Sequence, residues 1–74
     1  MSNVAHYYFM QECKRKERHH EASIRQYEIR IAELAKRVKA GNYSPHLFET
    51  QKKSLEREIE YHKSQIKKLK RFAI

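Results

Sequence analysis

The stretch "AGNYSPHLF", residues 40–48, contains the only glycine and the only proline of a 74-residue chain. Gly41 can take the left-handed backbone conformation that closes a helix. Lys36, Arg37 and Lys39 just before it suit the negative end of a helix dipole. Ser44 reads as an N-cap whose hydroxyl accepts a bond from an orphan amide, with Pro45 at the first helical position. Tyr43 and Phe48 then fall on the two staple positions. Leu47 stands where a capping box would place Glu or Gln, so that box is incomplete. The spacing predicts one helix ending near residue 40, a connection over 41–44, and a second helix from 45 to about 72.

Apolar residues recur in steps of three and four on both sides of this turn. Upstream they are Ile24, Tyr27, Ile31, Leu34 and Val38. Downstream they are Phe48, Leu55, Ile59, His62, Ile66 and Leu69, with Lys52 the one clearly polar member of the frame. Such a stripe is the a/d seam of a coiled coil, and a four-residue connection makes the two helices antiparallel neighbours. The expected fold is all-α, an antiparallel two-helix hairpin. Folding back at the turn sets Ile31 near Leu55, Tyr27 near Ile59, Ile24 near His62, His20 near Ile66 and Glu17 near Leu69.

The polar run "KRKERHHE", residues 14–21, interrupts the apolar pattern but not its register. Projected backwards, the seam continues through His20, Glu17, Cys13 and Met10. No Gly or Pro breaks it, and Glu12–Lys16 and Glu21–Arg25 have the spacing of favourable helical pairs. The first helix is therefore expected to run unbroken from about residue 3, ten residues longer than the second. A chain this short hardly buries a self-sufficient core, and a two-helix hairpin leaves both sides of its seam open. Dimerisation into a four-helix bundle is the simplest expected solution.

Two surfaces carry the functional expectation. At the N-terminus, Val4, Tyr7, Tyr8, Phe9 and Met10 place apolar area on more than one side of a helix. With the seam residues Ile24, Tyr27, Ile31, Leu34, Leu55, Ile59, Ile66 and Leu69, they are the candidate contacts to a second copy or to a protein partner. At the far end of the second helix, Lys63, Lys67, Lys68, Lys70 and Arg71 occur without an acid. In a hairpin, Lys14, Arg15, Lys16 and Arg18 lie alongside them, against Glu12, Glu17 and Glu21. Residues 41–60, by contrast, carry four Glu against three cations. The charge is concentrated away from the turn, as a polyanion-contacting surface requires. Lys14, Arg15, Arg18, Lys63, Lys67, Lys68, Lys70 and Arg71 are the residues expected to make such contacts.

Composition limits the remaining classes. Apolar residues make up 39% of the chain and charged residues 35%, with 17 Lys and Arg against 9 acids, a net charge of +8. Few helix breakers with many helix formers indicate long helices, and the sustained periodicity argues against disorder. The single cysteine, Cys13, permits no intrachain disulfide. The N-terminus lacks a basic leader and a long apolar run, and no segment approaches the roughly 20 apolar residues of a membrane span. A soluble, cytoplasmic protein is expected. Five histidines invite a metal reading, but His19 and His20 point about 100° apart on a helix, and no zinc spacing is present. No metal or cofactor is expected. There is no Asp, no Gly-rich phosphate loop and no nucleophile–base arrangement, so an enzyme acting on a small-molecule substrate is not expected. The expected function is a small regulatory module that docks on a protein partner, such as a DNA-binding or transcription protein. The alternative is direct, largely non-specific nucleic-acid binding by a basic helical dimer.

Overall fold

A computed structural model describes residues 2–72, with side chains from residue 5 to residue 71. The chain is all-helical. Helix α1 spans Ser2–Lys39 and helix α2 spans Pro45–Phe72, and the two pack against each other as an antiparallel hairpin. The rod measures 62 × 15 × 12 Å. Both helix ends at the turn fall within one residue of the positions expected from Gly41 and Ser44.

The turn closes by backbone chemistry that the glycine permits. Gly41 has φ 76°, the left-handed region that side chains with a Cβ rarely enter. Its amide donates to the Val38 carbonyl at 3.0 Å, and the Asn42 amide donates to the Arg37 carbonyl at 2.9 Å. This pair of reverse bonds is a Schellman closure, which satisfies carbonyls that α1 would otherwise leave unpaired. On the other side, the Phe48 amide donates to the Ser44 carbonyl at 2.9 Å, and the Leu47 amide reaches the Ser44 hydroxyl at 3.5 Å. Ser44 is thus the N-cap of α2, although its side-chain bond is long.

The seam lies between the helices along its full length. Cys13, Ile24, Leu34 and Ile59 are buried, and Met10, Glu17, His20, Tyr27, Ile31, Val38, Phe48, Lys52, Leu55, His62, Ile66 and Leu69 are half-buried. Lys52 keeps its seam position by reaching outward, with its Nζ 5.9 Å from the centre of the Phe48 ring. Yet no described side chain is fully buried. Two helices cover each other on one line only, so the core is a strip.

Local charge pairing differs from the expectation. Glu12 pairs with Arg15, one residue short of Lys16, and the Glu21–Arg25 pair is not formed among the described residues. Three- and four-residue spacings differ by only a few tenths of a kcal/mol on an exposed helix face, so spacing alone does not choose between them.

Candidate interaction surface

Helix α1 outruns α2 by ten residues, about 15 Å at 1.5 Å per residue. The aromatic head sits on this overhang. Tyr7, Tyr8 and Phe9 are 60%, 67% and 47% exposed, at a level beyond the described end of α2. Tyr7 and Tyr8 meet edge to face, with ring centres 6.0 Å apart. Met10, nearer the hairpin, is half-buried, and the Val4 side chain lies outside the described residues. Below the head, Phe9, Cys13 and the α2 residue Leu69 line an apolar groove edged by Glu12 and Lys16. Cys13, buried at its floor, is a free thiol.

Two turns further along, the seam becomes polar. The Nδ1 atoms of His20 and His62 lie 2.7 Å apart across the helices. At that distance one ring must donate its Nδ1–H while the other accepts with a bare nitrogen, so the two cannot both carry a proton there. The Tyr27 ring stacks on His62 at 5.8 Å, and Tyr61 meets it edge-on at 5.3 Å. His62 thus lies between His20 and Tyr27, at the level of Ile24, in the expected register. Burial lowers the pKa of His20 below the ordinary value, and the neighbouring His62 and His19 lower it further. Sequence spacing brought His20, Glu17 and His62 towards one another, but not the direct ring-to-ring bond, which depends on side-chain rotamers. Among the described residues, no three His, Cys, Asp or Glu side chains converge as a metal site.

The basic end is a real cluster, but some of its charge is spoken for. Lys70 lies 3.8 Å from Glu17 across the seam, Lys63 lies 4.0 Å from Glu60, and Arg15 is paired with Glu12. Lys14, Arg18, Lys67, Lys68 and Arg71 are exposed and have no ion-pair partner among the described residues. The cross-helix Glu17–Lys70 contact holds the cluster in one place by tying the lysine-rich end of α2 to the polar middle of α1. No described helix is long and apolar enough to cross a membrane.

Comparison with models of known protein families, with curated proteins and with solved structures finds no match for this chain.

Proposed function

We propose that this chain is a small non-enzymatic interaction module that docks on a protein partner through its aromatic head and regulates it. The observation that carries the reading is the contrast in burial. Three large rings are spent on an overhang that the described part of α2 leaves exposed, whereas four of the described side chains are buried. Exposed Tyr and Phe clusters are efficient anchors, because they bring large area with few rotors to freeze. The hairpin self-associates into a four-helix bundle, and its basic end faces the nucleic acid or acidic surface that accompanies the partner. A DNA-binding or transcription protein fits that description.

The test is capture of a partner from nuclease-treated extract by the wild-type chain and by a Tyr8→Ala/Phe9→Ala variant. The variant should lose capture while its circular dichroism stays that of the hairpin, since neither ring belongs to the seam. A wild-type chain that captures no protein once nucleic acid is removed refutes the reading.

A second reading, direct binding of nucleic acid, is favoured by the cluster of cations at the open end without an ion-pair partner among the described residues. It requires affinity to fall steeply with salt, and to fall when Lys67, Lys68, Lys70 and Arg71 are changed to Glu. Contacts from such a surface go to phosphates and carry little base information.

A further inference from the structure

One groove of the hairpin, about 390 Å³, runs between Glu28, Ile31 and Ala32 of α1 and Glu56, Ile59, Glu60 and Lys63 of α2. These residues fix which stripes of the two helices share a flank. Side chains seven residues apart point the same way on helices packed with a coiled-coil repeat. Tyr7, Lys14, Glu21, Glu28 and Ala35 therefore form one column of α1, beside Arg18, Arg25 and Ala32. On α2 the matching columns are Glu49, Glu56, Lys63 and Lys70, beside Lys53, Glu60 and Lys67. All of these side chains are exposed except Ala35, which is half-buried.

Read from the open end towards the turn, this flank is divided into blocks. Tyr7 comes first, then a basic block of Lys14, Arg18, Lys67 and Lys70. A mixed level of Glu21 and Lys63 follows, then a mainly acidic block of Glu28, Glu56 and Glu60 with Arg25 level with Glu60. Ala32 and Ala35 come last, with Glu49 and Lys53 supplying one charge of each sign. The opposite flank has no such order: Lys16, Ser23 and Arg30 there face Gln51, Glu58 and Gln65.

We infer that a second copy of this chain packs antiparallel on this flank, with its acidic block against the basic block of the first. The levels match. At about 1.5 Å per residue from the turn, Lys14 and Lys70 stand near 38 Å and Glu28 and Glu56 near 17 Å. Glu21 and Lys63 stand near 28 Å, midway between them. A two-fold axis at that level lays Lys14 on Glu28, Lys70 on Glu56 and Lys67 on Glu60, each twice as an isologous interface demands. These outnumber the like-charged meetings of Arg18 with Arg25 and, at the axis, of Glu21 and Lys63 with their own copies. The same rotation carries Tyr7, about 50 Å from the turn, to the level of the partner copy's Ala35, where small side chains leave room for a ring. The open groove over Ile31 and Ile59 is covered in the same step.

Surface area points the same way. The hairpin exposes 6265 Å², whereas a compact monomer of 9.1 kDa exposes about 4,900 Å². The excess, about 1,400 Å² per chain, is more than the roughly 800 Å² that each partner buries in a standard protein–protein interface. This dimer rests on the reading of the chain as an interaction module and identifies one of its partners as itself.

Charge reversal tests it. By sedimentation equilibrium at low salt, wild type should have the mass of two chains. Glu56→Lys/Glu60→Lys places like charges across the two-fold, and so does Lys67→Glu/Lys70→Glu; each variant alone should have the mass of one chain. Mixed in equal amounts, the two variants are complementary and should recover the mass of two, which also shows that neither is misfolded. A monomeric wild type, variants that dimerise as wild type does, or a mixture that stays monomeric overturns the proposal. Failure of the module reading is a separate result, undiminished partner capture by Tyr8→Ala/Phe9→Ala, because neither ring lies on this flank.

Discussion

At the scale of single residues, two positions carry most of the specific chemistry. The His20–His62 bond needs one bare nitrogen, and burial already disfavours the charged form of His20. Its pKa in the folded chain lies below that in the unfolded chain, so the unfolded state takes up the proton first as pH falls. The stabilisation is complete above the ordinary histidine value of about 6.5, and is lost as pH drops below it through the folded value. Melting temperature should therefore fall between pH 8 and pH 5.5, and His20→Leu should remove most of the slope. A flat wild-type profile counts against a half-buried, neutral His20. In a domain of this size each 1 kcal/mol displaces the melting temperature by about 4–8 °C, so the trend is readable. Gly41 is the second position. A Cβ added there meets nothing within 4 Å, so the cost of Gly41→Ala is the left-handed backbone alone. A loss of about 1–2 kcal/mol is expected in urea titration, and a neutral result would mean the turn had changed conformation.

At the scale of the helices, α1 and α2 differ in what they ask of each other. The seam of α2 is apolar at most positions, and Ile59 is 7% exposed. Ile59→Ala should cost about 2–5 kcal/mol, towards the lower end because a thin strip of core is free to collapse. Tyr8, 67% exposed, should cost almost nothing when replaced by Ala in the isolated chain. Denaturant midpoints of the two variants measure that contrast directly. In α1 the stretch from Lys14 to Glu21 contributes little apolar area, and it stays helical because nothing in it breaks the backbone pattern. Its hold on α2 comes from Cys13, the histidine pair and the half-exposed Glu17–Lys70 contact. Such a contact is worth about 1 kcal/mol at most, so this half of the hairpin should exchange its amides faster than the half near the turn. Hydrogen exchange that is uniform along both helices would contradict this ranking.

At the scale of the whole molecule, shape and charge set the behaviour. The radius of gyration is 17.4 Å, against about 11 Å for a compact chain of this length. If the proposed dimer forms, small-angle scattering should show doubled mass with a longest dimension still close to that of one hairpin, 62 Å, because the two rods would overlap along their length. An end-to-end assembly would nearly double that dimension. In the proposed antiparallel dimer, Lys14, Lys67 and Lys70 would face the other copy's acids. The unpaired charge left for a polyanion at that end would then lie on Lys16, Lys68 and Arg71.

The hairpin itself was legible in the amino-acid order. Gly41, Ser44 and Pro45 fix the turn by local backbone rules, and the steps of three and four place every seam residue at the helix contact. Both signals act over a few residues, which is why they can be read from the chain alone. The overhang of the aromatic head was legible too, since it follows from counting residues on each side of the turn. The ring bond between His20 and His62, the choice of Arg15 over Lys16 by Glu12, and the grouping of charges into blocks on one flank were decided only by the tertiary structure. Each depends on the rotamers or relative rotation of two helices that are far apart in sequence. Those are settled by packing between side chains, and no local preference specifies them.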